Sequence, residues 1–208
     1  MKIDIKKDLK AFYRPKPDDF VEVVVPPQRF LAIDGSGDPD TSDDYANAVA
    51  ALYAAAYATK AASKAADGVD FIVGPLEGLW SSSDPSSFVD GRKSEWDWTM
   101  LIPLPDQLDE SAVRDGLESA RKKKPDLPLD RVAPLRLDEG RSLQILYIGG
   151  YDDEAPVLAR LHNEVMPALG VEWNGRHHEV YLSDPRKVPA AALKTVLRQP
   201  VTDADRAG

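Results

Sequence analysis

The chain has 208 residues, 43% of them hydrophobic and 29% charged, with 13 glycines and no cysteine. That composition belongs to folded globular proteins, and it excludes disordered and collagenous chains, disulfide frameworks, thiolate nucleophiles and Cys-ligated metal centres. Its 26 Lys and Arg against 35 Asp and Glu leave a net charge of −9, the wrong sign for a phosphate-binding surface, so no nucleic-acid partner is expected.

The longest uncharged stretch, Tyr45 to Thr59, is Ala-rich and shorter than the roughly 20 residues that cross a bilayer. Residues 1–8 lack the apolar core and small-residue cleavage site of a signal peptide. The expectation is a cytoplasmic protein with no membrane partner.

Residues 1–27 read as an N-terminal arm, Pro-rich around Pro15 and Pro17, ending in a β-branched strand at Val21–Val25. Arg29–Asp34 is a second strand, closed by the turn formers Gly35-Ser36-Gly37-Asp38-Pro39. Ser42-Asp43-Asp44 offers capping side chains to a helix from Tyr45 to Ala66, on which Tyr45, Val49, Leu52 and Ala56 form one apolar stripe with Tyr53 and Tyr57 beside it. Phe71–Trp80 is extended. Ser81–Lys93 is a polar hairpin loop, and Glu95–Ile102 alternates as a strand that Pro103 should stop. Trp96 and Trp98, two apart, project from one face of it.

Glu110–Lys124 reads as a more polar helix whose basic end, Arg121–Lys124, offsets the helix dipole. A Pro-rich connection over 125–134 follows, and then the order repeats: a strand at Arg141–Ile148, a helix opened by Pro156 and running to Met166, and strands at Arg176–Leu182 and Ala192–Arg198. The reading is an α+β fold of pseudo-duplicated strand-helix-strand-strand modules, with antiparallel sheets and a ligand cleft between the halves. The arm occupies 1–27, the first module 28–105, a helix and linker 106–140, the second module 141–201 and a frayed tail 202–208.

His177, Glu179 and Tyr181 share one strand face. A carboxylate flanked by an imidazole and a phenol serves as a general base, as counter-ion to a cationic ligand, or simply as a solvated edge. Trp96, Trp98 and Tyr147 either line a box for a planar ligand or pack the core. Gly35-Ser36-Gly37 lacks the rest of a dinucleotide fingerprint, and no nucleophile elbow or P-loop is present. His177 and His178 are adjacent and point apart on a strand, which defeats a shared metal clamp. Neither a metal nor a cofactor is expected.

Leu52–Lys60, Trp96–Ile102 and His178-Glu179-Val180-Tyr181-Leu182-Ser183-Asp184-Pro185-Arg186 together resemble the GyrI-like small-molecule-binding family, over about residues 20–200. The resemblance implies two modules about a pseudo-twofold axis and an aromatic cleft with a central acid, which falls on Glu179. It implies a stand-alone member, because 27 preceding residues are too few for the DNA-binding domain carried by regulators that sense lipophilic cations. The expected function is binding of planar, lipophilic and cationic molecules by Trp96, Trp98, Tyr147, Glu179 and Tyr181. Two alternatives stay open: a hydrolase of cyclopropane-bearing genotoxic electrophiles using Glu179 and Tyr147, and a protein inhibitor of a larger enzyme such as DNA gyrase.

Overall fold

The computed structural model describes residues 2–84 and 86–204. In chain order the strands are β1 (Lys2–Ile3), β2 (Val21–Val25), β3 (Gln28–Ser36), β4 (Asp70–Phe71), β5 (Leu76–Ser82) and β6 (Trp96–Leu104). They continue as β7 (Ala133–Leu137), β8 (Gly140–Ile148), β9 (Val171–Trp173), β10 (His177–Tyr181) and β11 (Lys194–Asp203). The helices are α1 (Ile5–Asp8), α2 (Lys10–Tyr13), α3 (Asp43–Ala66), α4 (Ser86–Asp90), α5 (Glu110–Lys123), α6 (Ala155–Arg160) and α7 (Met166–Leu169), with a π turn at Leu161–Val165 joining the last two. This is the mixed helix and antiparallel-sheet class that the sequence predicts. Among the described residues no helix is long and apolar enough to cross a membrane.

The chain divides into two compact units, Met1–Leu9 with Gln28–Leu137, and Lys10–Pro27 with Asp138–Gly208. In the first, the order strand, helix, strand, strand is β3, α3, β5, β6, and the strands pair antiparallel as β5-β6-β3-β7. In the second it is β8, α6 to α7, β10, β11, paired antiparallel as β10-β11-β8-β2. Each unit therefore flanks its first strand with an extra edge strand, β7 or β2. Phe30, Ala32, Leu79 and Leu101 form an apolar cluster in the first unit, and Leu143, Leu161, Met166, Val171 and Val201 form one in the second.

Prolines account for most departures from the sequence reading. β6 continues through Pro103 because pairing with β5 ends at Leu101, so no ladder bond is lost there, while β3 still pairs opposite Pro103. β11 likewise passes Pro200, where its partner on that side changes from β10 to β9, and it reaches Asp203, the second residue of the expected tail. Residues 205–208 of that tail lie outside the described residues. The supposed linker carries β7, an edge strand that tolerates Pro134. Pro167 cannot donate to the carbonyl four residues back, and the helix widens into its π turn just before it.

The long helix is capped by Ser42, whose Oγ accepts from the Tyr45 N–H at 3.3 Å. Its buried stripe is Ala48, Ala51, Leu52, Ala55, Ala56, Thr59 and Ser63, smaller than the expected Tyr45-centred one, and Tyr57 is exposed. Small side chains let α5 approach closely: a Cβ on Gly116 would lie 2.6 Å from the Thr59 backbone nitrogen. Gly116→Ala is therefore expected to destabilise the protein by about 1–3 kcal/mol through overpacking. Urea unfolding checks this, and an unchanged midpoint would refute so close an approach.

Candidate functional site

In the second unit the register puts Gln144, Arg198 and His178 on one face of the sheet and Tyr147, Thr195 and Tyr181 on the other. The first face holds a buried ion network. His178 Nδ1 lies 2.9 Å from Glu139 Oε1, and Arg198 donates to Glu139 Oε2 at 2.9 Å, to Gln144 Oε1 at 3.2 Å and to the Phe12 carbonyl at 2.9 Å. Gln144 in turn donates to the Ala11 carbonyl at 2.7 Å, which fastens α2 to the sheet. Burial works to raise the Glu139 carboxyl, but His178 and Arg198 outweigh it and bring it down to about 2. Removing one member of such a network strands a buried charge, at a cost of about 3–5 kcal/mol.

Because side chains alternate on a strand, fixing His178 on that face turns its neighbours His177 and Glu179 to the opposite one. His177 Nε2 stands 3.7 Å from Glu179 Oε1. Burial pushes His177 down to about 3, so it is neutral and this is no ion pair. Glu179 is 14% exposed at its side chain. Burial raises its carboxyl, against the opposing pull of the Tyr181 hydroxyl and of His178. The Tyr181 ring meets Tyr151 edge to face at 5.5 Å, and burial, with Glu179 and Glu154 adding to it, pushes the Tyr151 phenol up to about 12.

Tyr147 folds back on the turn that follows β8. Its hydroxyl donates to the Gly150 carbonyl at 3.1 Å, and a Cβ on Gly149 would lie 2.6 Å from its Cζ, so only glycine fits beneath the ring. The phenol thereby braces the segment that carries Tyr151 and Glu154. Glu154 is 4% exposed, and its Oε1 is buried without a hydrogen-bond partner among the described residues, as is Thr195 Oγ1 between the two tyrosine strands. Burial raises the Glu154 carboxyl well above the ordinary range, and the charges of Glu179 and Asp152 add to it.

The first unit holds three of the four tryptophans, and there Trp96 and Trp98 differ in exposure. Trp98 is 1% exposed, meets Tyr45 edge to face at 5.2 Å and covers Gly35, where a Cβ would overlap its ring. It packs the unit. Trp96 is only partly buried, stacks on Phe88 at 5.0 Å and has the Lys93 Nζ 5.9 Å from its ring centre, so it keeps aromatic surface. A separate groove of about 100 Å³ beside Ile3, Arg29 and Pro103 is smaller than the roughly 300 Å³ that a drug-sized ligand needs. Among the described residues no three His, Asp or Glu side chains converge as metal ligands.

The sequence reading singles out Glu179, Tyr147 and Tyr181 and passes over Tyr151, Glu154 and Thr195, which the structure places near them. The Asp-Asp-Glu-Ala-Pro start of α6 looks like ordinary helix-opening chemistry, which is why Glu154 escaped notice.

The chain belongs to the GyrI-like family, whose small molecule binding domain matches residues 19–202. A crystal structure of an uncharacterized conserved protein from Listeria innocua is 40% identical, covering 97% of this chain and 100% of that one, with a TM-score of 0.87. Another Listeria innocua crystal structure, described as a hydrolase, has the same identity and coverage and a TM-score of 0.83. The EcmrR C-terminal domain, 10% identical over 89% of this chain and 98% of that one at a TM-score of 0.57, shares the fold alone. No match was found among curated proteins.

The raised Glu179 carboxyl has a consequence for stability. Its charged form is disfavoured in the folded protein, so the wild type loses stability as pH climbs from the ordinary value of 4.5 through the raised one. Glu179→Gln removes that penalty. It is expected to melt a few degrees higher than the wild type at pH 8, about 2–4 °C for each kcal/mol relieved, and level with it near pH 4. Thermal unfolding at the two pH values is the check, and an equal or lower melting point at pH 8 would contradict the burial argument.

Proposed function

We propose that the acid and tyrosine face of the second unit binds planar lipophilic molecules and adds water to a strained electrophile among them, with Glu179 as general base. The observation that carries this reading is one sheet face presenting Glu179, Tyr147 and Tyr181 with Thr195, whose buried Oγ1, like Glu154 Oε1 before α6, has no hydrogen-bond partner among the described residues. Buried polar groups are paired in nearly all folded proteins, so such atoms mark a place where a polar guest belongs. The full-length Listeria neighbour described as a hydrolase supports hydrolysis over sequestration alone.

A cyclopropane conjugated to a carbonyl suits this arrangement. The Glu179 carboxylate takes a proton from water as the water oxygen bonds to the ring carbon. The ring C–C bond breaks, and its electron pair passes through the conjugated system to the carbonyl oxygen, which takes up a proton and becomes a hydroxyl. The net change is the addition of one water. Tyr181, hydrogen-bonded to Glu179, holds the carboxylate in position, and Tyr151 and Tyr181 offer ring surface worth about 0.5–1.5 kcal/mol per aromatic contact. Cationic aromatics are the competing ligand class.

A mass-spectrometric time course with cyclopropane-bearing aromatic electrophiles tests the reading. The wild type is expected to add one water, and Glu179→Gln to bind the compound but turn it over about 10²–10⁴-fold more slowly. Intact compound at saturating wild-type protein would reject hydrolysis.

A further inference from the structure

Glu154 is the group that the proposed chemistry leaves unused. It stands at the N-cap position of α6, where an acidic side chain ordinarily bonds the first free N–H groups, as Asp109 does for Ser111 at 2.7 Å. Glu154 makes no such bond. Its carboxyl is buried instead, with Oε1 unpartnered. The helical segment it opens packs, through Leu161 and Met166, on Leu143, a β8 residue on the same face as Tyr147. The titratable groups acting on it are Glu179 and Asp152, and it acts in turn on Tyr147 and Tyr151. No arginine or lysine is among them.

Among the described residues acting on it there is no cation to neutralise that carboxyl, and its Oε1 has no donor to satisfy it as an anion. As an acid it becomes a hydrogen-bond donor in a site otherwise lined by a base and phenols. We propose that Glu154 is a neutral carboxylic acid that donates its proton, as a hydrogen bond, to a carbonyl oxygen of the bound molecule, so that the site selects planar aromatic ligands carrying a carbonyl. The hydrogen bond stands independently of catalysis; its role in turnover rests on the hydrolase reading above. There, Glu154 hands its proton to the oxygen that gains the electron pair while Glu179 takes one from water. The two acids end with their single proton exchanged, and its return from Glu179 to Glu154 resets the site.

The test uses the full chain with side-chain ¹³C-labelled glutamate and the probe pair 9-fluorenone and fluorene, which differ by one carbonyl. Carboxyl NMR of the wild type is expected to show one glutamic acid carbon that stays protonated from pH 5 to pH 8 and is missing from Glu154→Gln. Fluorenone is expected to bind about 3- to 10-fold more tightly than fluorene at pH 7, and Glu154→Leu, checked by NMR to be folded, to lose that preference. Ordinary titration of every glutamate would overturn the proposal, as would an unchanged preference in the leucine variant. Absence of water addition by the wild type would reject the hydrolase reading alone, because the protonation and the fluorenone preference are read without turnover.

Discussion

The buried contact between Arg198, Glu139 and His178 sets the geometry on which the rest of the second unit depends. His178 and Glu179 are consecutive on β10, so holding one imidazole against Glu139 decides which way the next carboxylate points. A slip of one residue would exchange the two faces, bringing Glu179 to the network and His178 to the site. The ion network also reaches the Ala11 and Phe12 carbonyls, which explains why the segment from Lys10 to Pro27 belongs to this unit though the chain between it and β8 folds elsewhere.

The opposite face is costly by design. Two carboxyls share a desolvated site that contains a neutral histidine and phenols whose own ionisation is suppressed. Like charges in such surroundings push their titrations apart, which is the physical basis for proposing Glu179 as the base and Glu154 as the acid. The fold accepts that strain only because the surrounding structure holds it: Tyr147 locks the turn before Glu154, and the cluster of Leu143, Leu161 and Met166 holds the helix behind it.

Much of the architecture was legible in the sequence. The β-branched run Val21–Val25 marks β2, the alternating tryptophans mark β6, and the alanine-rich stretch behind Ser42 marks α3. What local pattern did not give was the effect of neighbours. Pro103 reads as a strand breaker and Pro134 as part of a linker, yet each, like Pro200, falls where the sheet asks for no donor on that side. Helical spacing draws the stripe through Tyr45, Val49, Leu52 and Ala56; Leu52 and Ala56 are buried, and close packing of α5 on α3 adds the alanines beside them. The spacing His177, Glu179, Tyr181 leaves a base, a counter-ion and a solvated edge open, and the family resemblance singles out Glu179. Glu154 was not legible, because an acid at a helix start is commonplace until the fold shows that it caps nothing.

The central claim is that ligands meet the protein on the face carrying Glu179 and Glu154. An amide NMR titration of the labelled protein with 9-fluorenone addresses it directly. The account predicts that the largest shifts fall on Tyr147, Gly150, Tyr151, Glu154, Glu179 and Tyr181. Shifts confined to Ile3, Arg29 and Leu104 beside the small groove of the first unit, with the acid face unmoved, would contradict it.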